Sequence, residues 1–337
     1  MPTLYVALDD RVLVARGQRR SHCAQGTQWD CTGRLHEFDI ECLAASPERP
    51  ERVFVGTVDS GVRRSTDGGE TWHTVGEFTD RVTAVTVSPH DPDTVWVGTE
   101  PSAVYRSADG GVSFERREGL TDLPGTGRWS FPPRPDTHHV RWLAVHPVDP
   151  DRIYVAIEAG AFVRSEDGGE SWQPHPDGAR RDNHTLATHP DAPSRVYTAA
   201  GDGYAESTDC GESWTYPQEG LDHRYVWGLA VDPADPETVV VSAAGGARAA
   251  HTPTRAESYV YRKSGATDGW ELAMDGLGDP AGTVPAVLAA GDEAGEFAAL
   301  TNRGLFRSHD AARTWQRLAI PWPEPSEQTG GRGLAIV

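Results

Sequence analysis

Apolar residues along this chain come in runs of four to six, rich in Val, Leu, aromatic and Thr residues, and the runs are cut by clusters of Gly, Pro and Asp. Runs of that length and composition between such breaks predict short strands and tight turns. One unit shows the order: residues 42–46 end at Pro47, then come 52–57 and 61–65, and a fourth run opens at Thr71 and Trp72. No segment of useful length places its apolar positions at the helical period. Each unit therefore predicts four antiparallel strands, and first strands begin near Leu43, Val85, Leu143, Leu186, Leu229 and Leu288.

The units also repeat in sequence. Ser65-Thr66-Asp67-Gly68-Gly69-Glu70-Thr71-Trp72 returns as Ser107-Ala108-Asp109-Gly110-Gly111-Val112-Ser113-Phe114, as Ser165-Glu166-Asp167-Gly168-Gly169-Glu170-Ser171-Trp172, and as Ser207-Thr208-Asp209-Cys210-Gly211-Glu212-Ser213-Trp214. A weaker copy is Ser308-His309-Asp310-Ala311-Ala312-Arg313-Thr314-Trp315, and a degenerate one surrounds Asp268-Gly269-Trp270. The aspartates recur at a spacing of roughly 42 residues, with two longer intervals that imply two insertions. Four short antiparallel strands in a unit of this length make the blade of a β-propeller. Residues 333–337 read as a seventh first strand with nothing after it, and residues 4–8 as a second strand with nothing before it. The expectation is an all-β, single-domain, seven-bladed propeller of four-stranded antiparallel blades over residues 1–337. Its first blade is shared by 1–36 and 332–337, so that the C-terminal strand pairs with the N-terminal ones and leaves no open edge.

In the repeated box, Gly supplies a positive φ in a tight turn, the Asp carboxylate accepts backbone N–H groups, and the aromatic packs between layers. With four near-complete copies of S-x-D-x-G-x-[ST]-W, the chain resembles the BNR/Asp-box propellers, a group that includes sialidases, sortilin-type receptors, xyloglucanases and photosystem assembly factors. The resemblance covers essentially all of the 337 residues. It implies that the boxes sit on the outer rim, so that Asp67, Asp109, Asp167, Asp209 and Asp310 shape turns and do no chemistry. Fold alone leaves the activity open.

The alternation of strand direction sorts the loops. Boxes and the Pro-rich first-to-second loops share one face, and Ser46, Ser88, His146, His189 and Asp232 occupy one repeated slot there, read as turn caps. The other face, the top, receives both insertions, at about 115–137 and 245–258. Long loops at one end of a rigid scaffold are where binding usually resides. First strands line the propeller axis, and two positions before the repeated Leu the blades offer Arg332, Glu41, Thr83, Arg141, His184, Trp227 and Ala286. Around them lie His138, His139, Asp182, His223, Arg224 and Tyr225, while second-to-third loops add Glu100, Glu158 and Asp202, and the first insertion adds Trp129 and Phe131. This polar, aromatic, asymmetric ring is the candidate site. Alternatively, its arginines pair with its carboxylates to plug a wet channel.

Charge narrows the partners. The chain carries 31 Lys+Arg against 50 Asp+Glu, a formal net charge of -19, which disfavours phosphate backbones. Lys263 is the only lysine, a bias that fits a GC-rich or halophilic source. No stretch approaches the ~18 consecutive apolar residues of a membrane span, and the first ten residues do not read as a secretory leader. Cys23, Cys31, Cys42 and Cys210 show neither CxxC spacing nor the density of a disulfide scaffold. The expectation is a cytoplasmic monomer with reduced thiols, no resident cofactor or metal, and no nucleic-acid or membrane partner. Its partner would be a small-molecule or glycan ligand, or a protein.

Three functions follow from these residues. The first is binding, without established catalysis, of a polar, anionic or sugar-like ligand or a partner protein, using Arg141, His184, Arg224, Trp227, Arg332, Glu41, His139, His223 and Trp129. The second is glycoside hydrolysis: resemblance to sialidases would cast Arg141, Arg224 and Arg332 as a carboxylate clamp and Tyr225 with Glu158 or Asp202 as catalytic groups. Sialidases, however, have six blades and an Arg-Ile-Pro motif that this chain lacks. The third is a metal-dependent lyase or lactonase, with His139, His184 and His223 joined by Glu158 or Asp202.

Overall fold

The computed structural model describes residues 2–18, 28–265, 269–322 and 330–337; Cys23 and Asp268 lie outside them. Seven separate antiparallel sheets follow one another along the chain. Blade 2, for example, is Ile40–Ser46, Arg49–Thr57, Val62–Ser65 and His73–Val75. The inner strands of blades 3 to 7 are Arg81–Val87, Val140–Val145, Asn183–His189, Tyr225–Asp232 and Val287–Ala290. Blade 1 takes Gly333–Ile336 as its inner strand, paired to Thr3–Leu8 in the register Leu4↔Ile336 to Ala7↔Gly333, and continues with Arg11–Gln18 and Gln28–Arg34. The two ends of the chain therefore complete one blade, as the repeat count predicts.

Among the described residues, five blades have four strands and two have three. In blades 4 and 5 the fourth strand shrinks to single bridges, Arg164↔Gln173 and Glu206↔Thr215. The sequence explains this: Pro174 and Pro176 follow Gln173, and Pro217 follows Tyr216. Proline brings no N–H to a ladder and stops it.

Blades are joined to one another by packing, not by shared ladders. Apolar clusters lie between adjacent sheets, as where Trp96 and Val104 of blade 3 meet Leu143, Val155 and Val163 of blade 4. Box aromatics close these seams: Trp172, Trp214 and Trp315 are buried. Each box is a self-contained turn. Asp67 Oδ1 accepts from Ser65 Oγ at 2.8 Å and from the N–H groups of Glu70 and Thr71, and Oδ2 accepts from Thr71 Oγ1 at 2.6 Å. Gly68 and Gly69 stand at φ 73° and 86°, where a side chain is disfavoured. The Gly68 N–H donates to Glu51 O, which anchors the box to the start of its own blade's second strand, beside the first-to-second turn, and so fixes both to one face. The repeated slot on that face consists of turn caps: His146 Nδ1 accepts from the N–H groups of Val148 and Asp149, His189 Nδ1 from Asp191, and Asp232 Oδ1 from Ala234.

Candidate functional site

The top face is shaped by a recurring irregularity. In five inner strands the register slips by one residue, between Ile40 and Cys42, Val82 and Ala84, Val140 and Trp142, Asn183 and Thr185, and Val226 and Gly228. The skipped residues are Glu41, Thr83, Arg141, His184 and Trp227, the ring positions two before the repeated Leu. A β-bulge leaves one residue out of the ladder and re-aims its side chain. Here that places a non-repeating residue from each of these five blades toward the channel mouth while the apolar pattern below it continues. The channel itself is a cavity of about 230 Å3, walled by Leu43, Val85, Val87, Leu143, Leu288 and Leu334 with Arg141 and Arg332 among its lining.

Around blades 1 to 4 the ring is neutralised internally. Arg332 bonds to Asp9, Arg81 pairs with Glu41 at 2.5 Å, and Arg134 of the first insertion grips Glu100 with two bonds of 2.6 and 2.5 Å. On blade 4, Glu158 accepts from His139 Nε2 at 3.1 Å and lies 3.4 Å from Arg141 Nε. Blades 5 and 6 differ. There the Trp227 and Tyr225 rings lie near-parallel, 14° apart with centroids 6.4 Å apart, and His251 of the second insertion stands edge-on to Trp227 at 4.6 Å. The Tyr225 hydroxyl and His251 Nε2 are hydrogen-bonded at 2.8 Å. The Arg141 guanidinium covers the Trp227 ring at 4.7 Å, and the fully buried His184 ring touches both aromatics, 4.6 Å from Trp227 and 5.0 Å from Tyr225. This quarter is aromatic, polar at its edges, and open to solvent at His251.

Electrostatics set the protonation states. Burial would raise the Glu158 carboxyl, but the His139 hydrogen bond and the field of His184, His139 and Arg141 outweigh it and hold the group at about 2, an anion at neutral pH. Asp182 moves the other way: burial raises it, and the Glu158 charge adds to the rise. Burial lifts the Tyr225 phenol well above its ordinary value, with Glu158 and Asp182 adding to the effect, so the hydroxyl is a donor and no phenolate forms. His251 is lowered, first by crowding among the rings and then by the neighbouring His184, Arg141 and Arg332.

Of the residues singled out from sequence, Glu158, His139, Arg141, Asp182, His184, Tyr225 and Trp227 converge. The others do not join them. Glu41 and Arg332 are tied to Arg81 and Asp9. Asp202 is half-exposed, 3.6 Å from Arg180, and Arg224 is exposed. His223 stacks on Tyr259 at 4.0 Å and bonds Tyr261 at 2.6 Å, and Trp129 is buried against His138. Two members carried little sequence signal: Asp182 precedes its strand with no motif, and His251 reaches the ring only because the helix Ala247–His251 folds the second insertion back over it.

Seven sheets around a channel, with an Asp box at the foot of successive blades, define a β-propeller built from box repeats. A model of the BNR/Asp-box repeat matches residues 63–74, and the chain is a seven-bladed BNR-repeat propeller. No curated protein sequence matches it. Among solved structures it is similar to an ancestral GH74 enzyme (19% identity, TM-score 0.62, 80% of this chain and 36% of that one). It is also similar to the GH74 xyloglucanase from Xanthomonas campestris (17%, 0.63, 88% and 51%) and to YCF48 bound to D1 peptide (18%, 0.60, 89% and 92%). The chain thus spans between a third and about a half of the two GH74 enzymes and most of YCF48. At these identities the likeness is one of fold.

Proposed function

We propose that this propeller binds a sugar-like ligand at the aromatic quarter of its top face, with Trp227 and Tyr225 as the stacking surface and Arg141 and His251 as polar edges. The observation that carries this reading is the near-parallel Trp227–Tyr225 pair beside a solvent-open flank. Flat aromatic faces suit the C–H faces of sugar rings, and the neighbouring guanidinium and imidazole can bond hydroxyls. A clamp for an anion is less well supplied, because Arg141 and Arg332 each already face a carboxylate. Hydrolysis is less well supplied too: Glu158 is only 8% exposed and held by His139, and Asp202 faces Arg180. The similarity to a xyloglucanase adds weight to a glycan, and that to a peptide-bound propeller names the competing occupant, an extended peptide.

The test is calorimetric titration with xyloglucan oligosaccharides and other neutral and acidic oligosaccharides. A neutral sugar is expected to bind, and Trp227→Ala to weaken it at least tenfold, about 1.4 kcal/mol, while Glu41→Gln leaves it unchanged. If no sugar binds, or if Trp227→Ala binds as the parent does, the reading fails.

A further inference from the structure

Beneath the aromatic quarter lies a cluster that the sugar reading does not use. One oxygen each of Glu158 and Asp182 and one nitrogen of His184 lie within 4.8 Å of one another. They come from three places: the second-to-third loop of blade 4, the approach to blade 5, and the bulge of the blade 5 inner strand. His184 is fully buried, and its Nδ1 sits 2.7 Å from Val226 O. A carbonyl only accepts, so Nδ1 carries a proton and Nε2 is the ring atom left to face the two carboxylates. That Nε2 is buried with no hydrogen-bond partner among the described residues, and Asp182 Oδ1 is 3.8 Å away.

In the equivalent bulge of blade 3, Thr83 Oγ1 makes the same bond to the next blade, to Val140 O at 2.7 Å. A hydroxyl therefore suffices for the seam, and the imidazole at position 184 adds a second, inward-facing nitrogen that the seam does not need. We infer that Glu158, Asp182 and His184 form a binding site for one divalent transition-metal ion of the zinc or manganese kind. An imidazole nitrogen, which gives up any proton to the solvent as the ion binds, and two carboxylates suit these ions, whereas calcium and magnesium prefer oxygen alone. The supports that hold metal ligands in place are present as well: His184 Nδ1 on a backbone carbonyl, Asp182 Oδ1 on the Ala159 N–H at 2.9 Å, and Glu158 on His139. The two carboxylates offset the ion's charge, against Arg141 and His139 beside Glu158. Ligands at about 2.1 Å from an ion stand roughly 3 to 3.5 Å apart, so binding would draw the carboxylates inward, and the three protein ligands would leave coordination positions for water.

The probe is the metal alone, so the result does not depend on the sugar reading. Chelator-stripped protein is titrated with ZnCl2, and separately with MnCl2 and CaCl2, and metal content is counted after desalting. One equivalent of zinc or manganese is expected, with calcium not retained. Asp182→Asn and His184→Gln should each weaken retention at least tenfold, and His309→Gln, an exposed histidine elsewhere, should not. A cobalt(II) titration should give visible ligand-field bands in the parent protein that vanish in Asp182→Asn. Thermal melts show whether each variant is folded; should His184→Gln fail to fold, the half-exposed Asp182 position decides. No retained ion, or an ion retained equally in both substituted proteins, overturns the site. Sugar titrations of stripped parent protein stand or fall separately.

Discussion

At the scale of single residues, the boxes show what the repeat demands and where it is violated. Gly68 and Gly69 have counterparts in Ala311 and Ala312, held at φ 58° and 61°, and Cys210 is held at 59°. An L-residue in that region crowds its Cβ against its own carbonyl, at about 1–2 kcal/mol. Glycine removes that strain but gains freedom in the unfolded chain, worth about 0.4–1 kcal/mol in the other direction. Ala311 is the partly exposed member of the pair. Ala311→Gly should therefore raise stability by about 0.5 kcal/mol, read as a higher melting temperature by scanning calorimetry, whereas Ala312→Gly, at a fully buried position, also surrenders a packed methyl. A lower melting point for Ala311→Gly would contradict the strain argument. The same scale explains what was legible at the top face. Ring positions could be read from their offset to the repeated Leu, because a bulge adds one residue at a fixed place. Their partners could not, since Arg134, Asp9 and His251 arrive from insertions or from distant parts of the chain, and no periodicity relates them.

At the scale of elements, the blades are held by seams, and the one between blades 5 and 6 employs the only lysine of the chain. Glu206, on the third strand of blade 5, accepts from Tyr204 at 2.8 Å, lies 3.2 Å from Lys263 of blade 6, and stands 3.4 Å from Arg195. Arg195 in turn bonds Glu237 of blade 6, and its neighbour Tyr197 donates to Pro236 O at 2.7 Å. Burial raises the Glu206 carboxyl, but the Lys263 charge, the Tyr204 hydrogen bond and Arg195 together bring it below the ordinary glutamate value. Folding thus favours the anion. Its stabilisation is complete above the unfolded value near 4.3 and drains away as pH falls through the lower, folded one. Removing one partner of an enclosed ion pair leaves the other uncompensated, at about 3 kcal/mol. Glu206→Gln should lose about that much at pH 7, and the gap to the parent should narrow below pH 4, measured by urea unfolding at both pH values. A gap independent of pH would assign the loss to packing instead. This seam was invisible in the sequence, because Glu206, Lys263 and Glu237 belong to strand ends whose pairing depends on how two sheets dock.

At the scale of the molecule, the architecture was legible because a propeller is a repeat, and repeats write their period into the chain. The blade count, the shared first blade and the placement of both insertions on one face all follow from the box spacing and from strands that alternate in direction. The shortened fourth strands of blades 4 and 5 were legible in principle too, in the prolines that stop them. Everything nevertheless depends on Gly333–Ile336 reaching its place. That strand pairs with Thr3–Leu8, contributes Leu334 and Ile336 to the cluster around Leu4, Val6 and Leu300, and passes so close to blade 2 that a Cβ on Gly333 would stand 2.8 Å from the Leu43 Cβ. Without it, Thr3–Leu8 becomes an open edge at the axis. Two aliphatic side chains and a four-residue ladder amount to roughly 5 kcal/mol. In a chain of this size each kcal/mol is worth about 2 °C. Deleting residues 333–337 should thus lower the melting temperature by ~10 °C and expose dye-binding apolar surface. A synthetic peptide of the deleted sequence, added in trans at millimolar concentration, should restore part of the loss. If the shortened chain melts like the parent, blade 1 is not the closure, and the ring of bulge residues at the channel mouth would need another support.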